Sequence, residues 1–248
     1  FDGVHLGHQQ ILNRAKEIAG DEKIVALTFD PHPVSIFAPE RTPTLLTILS
    51  DKIELLKIHN ADQVAVIKFT KEFAAMSPEE FVNKVLVEQL KATTVIVGQN
   101  FTYGFKAAGN VQSLGQHTEF ETIVLDLQSN AEKAISSTRI RTAITNGDVE
   151  SAREMLTRPH RLDGIVVHGG KRGREIGYPT ANLGNIEGQT IPADGVYAGW
   201  LTVGIDRWPA AISIGTNPTF EGVRGRQVEA YALDQVGLDL YTKPATIE

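Results

Sequence analysis

The sequence predicts a two-part chain: an α/β half with a mostly parallel sheet, then a small antiparallel β-barrel. Three observations predict it. Strand-like and helix-like runs alternate as far as Thr157. Short β-rich runs punctuated by Gly and Pro take over from Asp163. Apolar residues make up 42% of the 248 residues, which supplies cores for one large or two modest domains and argues against disorder.

Each element follows from its local pattern. After His8, the residues Ile11, Leu12, Ala15, Ile18 and Ala19 fall on one face of a helix. The runs Ile24–Phe29, Val64–Phe69, Thr94–Val97 and Ile123–Leu127 read as strands. Ser77-Pro78-Glu79-Glu80 offers an N-cap, a proline at the first helical position and a capping-box glutamate. Phe81, Val82, Val85, Leu86 and Leu90 then form the apolar stripe. Alternation of this kind requires crossover connections and so a parallel sheet covered by helices. Asn146-Gly147 stops one helix, and Asp148–Leu156 reads as a linking helix. The character changes near Arg158-Pro159-His160. Gly164–His168, Val196–Val203, Pro209–Ile214 and Val228–Leu233 read as strands of a barrel. The expected domains are 1–157 and 158–248. Both ends read as cut: the first residue is Phe, a phosphate-loop-like segment begins with no strand before it, and Tyr241–Glu248 reads as the opening of a strand.

Composition excludes several function classes. Cysteine is absent, which rules out disulfides, thiolate nucleophiles and Cys-ligated zinc and fits a reducing compartment. The 24 basic and 30 acidic residues give a net charge of -6 with no basic stripe, so no nucleic-acid partner is expected. No apolar stretch is long enough for a bilayer and no signal-peptide pattern opens the chain. The expectation is a cytoplasmic protein with small-molecule partners and no membrane.

Two regions carry chemistry. In Phe1-Asp2-Gly3-Val4-His5-Leu6-Gly7-His8, Gly3 and Gly7 permit a tight bend and close approach of a ligand. The following helix aims its unpaired amides at the turn, and His5 and His8, three apart, can share one side. That is an anion cradle for nucleotide phosphates. A plain strand-to-helix turn with two surface histidines is the alternative, and a zinc pair a third. Asp30-Pro31-His32-Pro33 and Gly98-Gln99-Asn100-Phe101 lie just past predicted strands, the edge where open parallel sheets bind ligands. Ser136-Ser137-Thr138-x-x-Arg141 places hydroxyls at a helix start and a guanidinium one turn later, which suits a second phosphate grip or ordinary capping. In the second half, Gly169-Gly170-Lys171-Arg172-Gly173-Arg174 is a basic Gly-rich loop, either a phosphate cover or a polar hairpin, and not a P-loop. In Pro179-Thr180-Ala181-Asn182, Thr180 and Asn182 point to one face of an extended segment, as hard ligands for Mg²⁺ or as a local turn.

The combination resembles the bacterial bifunctional riboflavin kinase/FAD synthetase family. The His5-x-x-His8 and Ser136-Ser137-Thr138-x-x-Arg141 motifs, with Val97-Gly98-x-Asn100-Phe101, look like its adenylyltransferase module. The order of Gly-rich loop, Pro179-Thr180-Ala181-Asn182, Asp194-Gly195-Val196-Tyr197-Ala198-Gly199, Ser213-Ile214-Gly215-Thr216-Asn217-Pro218 and Val228-Glu229-Ala230-Tyr231 looks like its kinase module. The resemblance implies a nucleotidyltransferase-type, Rossmann-like domain followed by a riboflavin kinase barrel. It implies ATP-dependent phosphorylation of riboflavin to FMN and adenylylation of FMN to FAD, with Mg²⁺. His5, His8 and Arg141 would serve adenylyl transfer, with Gly3, Gly7, Asp30, His32, Asn100, Ser137 and Thr138 around ATP or the flavin phosphate. Gly169 and Gly173 would cover kinase phosphates, Thr180 and Asn182 would hold Mg²⁺, and Glu229 would be the general base. Phe101, Tyr103 and Phe105 are candidates for flavin stacking. A non-catalytic flavin- or nucleotide-binding regulator, and an enzyme with one live activity, are the rival readings.

Overall fold

The structure, a computed structural model, describes residues 1–126, 134–168, 180–216 and 226–248, and of the remainder only the backbone of 218–219 and 222–223. The chain forms two compact units. One is Phe1, Gly3–Pro43 and Leu49–Ser136; the other is Asp2, Thr44–Ile48 and Ser137–Glu248.

The first unit carries two parallel strand pairs. Val25–Asp30 lies against Gln63–Lys68, in register from Val25↔Gln63 to Asp30↔Lys68. Thr94–Gly98 lies against Glu121–Leu125, from Thr94↔Glu121 to Gly98↔Leu125. The expected strands are present within one or two residues, as two pairs rather than one continuous ladder; the last ends at Leu125, and Leu127 lies outside the described residues. The first helix, Leu6–Ile18, turns differently from expectation. Its buried residues are Gly7, Gln9 and Leu12, and Ile18 is 36% exposed. The buried stripe runs at helical spacing through His5, Gln9 and Leu12, which leaves Ile18 outside it. Val4 and Leu12 pack with Ile24, Ala26, Leu56 and Ala61.

The capping box forms. Ser77 Oγ accepts the Glu80 amide at 3.1 Å, and Glu80 Oε2 accepts the Ser77 amide at 3.0 Å. Beyond the short helix Pro78–Phe81 the winding widens into a π-helix, Val82–Gln89, and Leu90 N reaches back to Val85 O. Val82, Val85 and Leu86 still enter the core, joined by Phe81, Val97 and Leu114.

The second unit opens with the helices Ser137–Thr145 and Val149–Leu156. Gly147 takes φ +83° between them, and the Asp148 side chain accepts the Ser151 amide at 3.0 Å. Six antiparallel strands then close a barrel, in the order Asp206–Gly215, Gln227–Ala232, Ala181–Gly184, Leu162–Val167, Pro244–Ile247 and Gly195–Val203. Period-two alternation sends Val228, Ala230, Ala232, Ala181 and Leu183 into the shared core with Leu201, Ile212 and Ile247. The inside of this barrel is therefore packed, as in other small barrels.

Candidate functional site

The first cluster is built by an unusual turn. Gly3 takes φ +84° and Val4 φ +40°. A β-branched residue in that region costs of order 1–3 kcal/mol. The fold holds it there: Val4 is fully buried and its carbonyl accepts Gln9 Nε2 at 2.9 Å. The next residue, His5, is the N-cap of the first helix, without a side-chain cap bond, so the first-turn amides are left to a ligand or solvent. The His5 and His8 rings stack, centroids 3.7 Å apart and 19° between planes, and Phe1 lies 5.0 Å from His8. The pKa of His8 is held well below the ordinary histidine value, by burial first and then by nearby positive charge, including His5 and Lys52. His8 is thus a neutral imidazole. Its Nδ1 is buried with no hydrogen-bond partner among the described residues. Lys52, on the helix Leu49–Ile58, escaped the sequence reading; its signal is a lysine three and four residues before Leu55 and Leu56, on the apolar face.

The other first-unit residues expected around a nucleotide are more exposed. Asp30 ends its strand opposite Lys68. His32 caps the short helix Pro33–Phe37, its Nδ1 accepting the Val34 amide at 3.3 Å. Asn100 sits exposed in the turn after Thr94–Gly98. Of the aromatic candidates, Tyr103 is corrected to a core residue: it is 6% exposed, its hydroxyl meets Ser113 Oγ at 3.1 Å, and Phe101 stacks on it at 5.7 Å. Phe105 is 45% exposed, under the Lys106 ammonium.

Ser137, Thr138 and Arg141 belong to the second unit, where Asp2 also lies. Sequence reading gave Asp2 no role, yet its carboxylate is a hub. It accepts Arg141 Nη2, the Leu46 amide at 3.1 Å, and the Thr47 amide and hydroxyl at 3.2 Å each. Arg141 Nε donates to Thr44 O at 2.6 Å, and Ser137 Oγ donates to Asp2 O at 2.9 Å. The charge-assisted bonds of Arg141 and the neutral bond of Ser137 tie down the first turns of the helix that carries the motif. Thr138 is exposed.

The second cluster lies on the barrel. Glu229 and Asn182 are paired neighbours on adjacent strands. Because Val228, Ala230, Ala181 and Leu183 fill the inside, both project from the outer face. Thr180, two before Asn182, shares that face. Its hydroxyl donates to Glu229 Oε2 at 3.2 Å, and Asn182 Nδ2 approaches Thr180 Oγ1 at 3.5 Å. The structure so gathers Thr180, Asn182 and Glu229. Their oxygens are hard donors that fit Mg²⁺, which takes few protein ligands and completes its shell with water and phosphate. Val167 pairs with Asn182 across the two strands, and the connection between them includes 169–179. Gly169 and Gly173 within it lie outside the described residues.

Known proteins share both halves. Residues 1–139 match the family described as FAD synthetase, and residues 156–248 match the family described as riboflavin kinase. A bifunctional riboflavin kinase/FMN adenylyltransferase of Listeria monocytogenes is 41% identical over 239 residues, covering 94% of this chain and 76% of the relative. The protein of the same description from Bacillus subtilis is 37% identical over 232 residues (92% and 73%), and that from Escherichia coli is 34% identical over 247 residues (97% and 78%). A crystal structure described as a macrolide-efflux protein from Streptococcus pneumoniae superposes with a TM-score of 0.89 at 30% identity, covering 100% of this chain and 81% of that one. Among the described residues here, no helix is long and apolar enough to cross a membrane.

Proposed function

Because this chain belongs to the bifunctional riboflavin kinase/FMN adenylyltransferase family, and so makes FMN from riboflavin and FAD from FMN, we propose a division of labour between its two clusters. Residues 1–157 serve adenylylation and 158–248 serve phosphorylation. The family matches at 1–139 and 156–248 support that boundary.

In the kinase half, Glu229 accepts the proton of the ribityl 5′-hydroxyl. A primary alcohol is a poor nucleophile at neutral pH, and a carboxylate within hydrogen-bond reach is the partner it needs. The alcohol oxygen bonds to the γ-phosphorus of ATP, and the bond from that phosphorus to the β-phosphate oxygen breaks. Thr180 and Asn182 hold Mg²⁺, which neutralises phosphate charge when bound. Gly169 and Gly173 cover the phosphates. The observation that carries the reading is the Thr180–Glu229 hydrogen bond of 3.2 Å with Asn182 directly opposite Glu229.

In the adenylyltransferase half, the FMN phosphate is already anionic, so no side-chain base is required. Alignment and charge stabilisation suffice. His5 and His8 donate hydrogen bonds to the ATP phosphates, and Gly3 and Gly7 let the backbone approach. Asp30, His32, Asn100, Ser137 and Thr138 hold ATP or the flavin phosphate. With the Ser137 hydroxyl committed to Asp2 O, its amide at the helix start is the donor for phosphate. Arg141 contributes through Nη1, its other edge being held by Asp2 and Thr44. Cytoplasmic residence and the absence of a nucleic-acid partner belong to the same proposal; the cysteine-free composition and the net charge of -6 support them.

The test is incubation with riboflavin, ATP and Mg²⁺, with the flavins resolved by chromatography. Glu229→Gln should cut FMN formation by about 10²–10⁴-fold, the usual range for a general base, and leave conversion of supplied FMN to FAD. His8→Ala should do the reverse. Equal loss of both steps in each variant overturns the division.

A further inference from the structure

Lys52 is 8% exposed and lies on the helix Leu49–Ile58. It makes no hydrogen bond or ion pair with another described residue. Buried lysines are rare without a counter-charge, because desolvating an ammonium is costly. The position of Lys52 follows from its neighbours. Leu55 and Leu56, one turn on, pack in the same cluster as Val4 and Leu12, and those two residues flank His5 and His8 in the chain. Lys52 therefore faces the histidine turn within the first unit. Its charge is felt at His8, where it helps keep the imidazole neutral. The neutral His8 imidazole offers hydrogen bonds but no charge, whereas a triphosphate brings several negative charges. The ammonium supplies what that imidazole lacks.

We propose that the Lys52 ammonium binds the triphosphate of ATP beside His5 and His8, and stabilises the charge that develops as pyrophosphate leaves. This rests on the reading of the histidine turn as the adenylylation site. As the FMN phosphate oxygen bonds to the α-phosphorus, the bond from that phosphorus to the bridging oxygen breaks. The electron pair departs on pyrophosphate, and Lys52 keeps its proton throughout.

The full chain is assayed for both steps separately, as Lys52→Met, which retains the apolar stem, and as Lys52→Arg, which retains the charge. Lys52→Met should lower kcat/KM for FMN adenylylation by about 100-fold, the scale of losing one charge-stabilising donor. Riboflavin phosphorylation should stay within about twofold, and Lys52→Arg should recover at least about tenfold over Met. Adenylylation within about twofold of the native rate in Lys52→Met, no recovery with arginine, or a parallel fall in the kinase step overturns the proposal. His8→Ala is run alongside. If it keeps its adenylylation rate, the histidine reading falls and the lysine with it; if it loses the rate while Lys52→Met does not, only the lysine assignment falls.

Discussion

At His160 the imidazole Nε2 lies 2.7 Å from the Thr190 carbonyl, so Nε2 carries the hydrogen and donates. Burial lowers its pKa to about 4, against the opposing pull of that hydrogen bond. The unfolded chain takes up a proton near the ordinary value of 6.5, whereas the folded chain resists until about pH 4. The contribution of His160 is therefore fully present above pH 6.5 and is lost as the pH falls towards 4, by up to about 3 kcal/mol. Trp200 and Trp208 are the only two tryptophans and both lie in the second unit, so their fluorescence reports its unfolding. The urea midpoint should drop between pH 6.5 and 4, and His160→Gln, which donates without titrating, should flatten that limb. An unchanged pH slope in the variant removes His160 as the cause. None of this was legible in Arg158-Pro159-His160 as a string, because the carbonyl it bonds belongs to Thr190, thirty residues on. The Asp2–Arg141 pair hid for the same reason: its partners are remote in sequence, and an aspartate before a glycine reads as turn chemistry. Thr180 and Asn182 were legible, since alternation along an extended segment fixes their shared face without long-range knowledge.

Elements obey local rules where local chemistry dominates. Ser77-Pro78-Glu79-Glu80 was readable as a helix start because each contact of the box is internal to four residues. Ser77→Ala should cost about 1 kcal/mol, measured by urea titration of the circular dichroism signal, and leave both activities intact. The π-helical winding that follows was not readable; apolar spacing in Phe81, Val82, Val85 and Leu86 is satisfied by either winding. In the barrel, Gly164 is fixed by its neighbour across the hairpin. A Cβ there would collide with the Gly184 carbonyl oxygen and sit 2.8 Å from Leu183 Cγ. Both belong to the strand that carries Asn182. Gly164→Ala should destabilise the second unit by about 1–3 kcal/mol and lower riboflavin phosphorylation, with adenylylation of supplied FMN retained. Retention of the full kinase rate would show that the strand absorbs the extra carbon.

Across the whole molecule, two consecutive reactions share a product that is also a substrate. FMN released by one chain is usable by any other. A mixture of Glu229→Gln and His8→Ala chains, each blocked at one step, should therefore convert riboflavin to FAD, with a lag set by FMN accumulation. Failure of the mixture, when each variant performs its remaining step, would mean that FMN does not pass through solution. The order of the two halves was legible because each brings its own periodicity, helical alternation giving way to short strands.

The barrel keeps the Glu229 carboxylate on the outer wall and its aliphatic filling within. Selection for heat tolerance can thus exchange one lining side chain for another of like volume while the carboxylate proposed to activate the alcohol stays in register with its neighbours, so durability and the proposed chemistry are inherited on opposite sides of the same six ribbons.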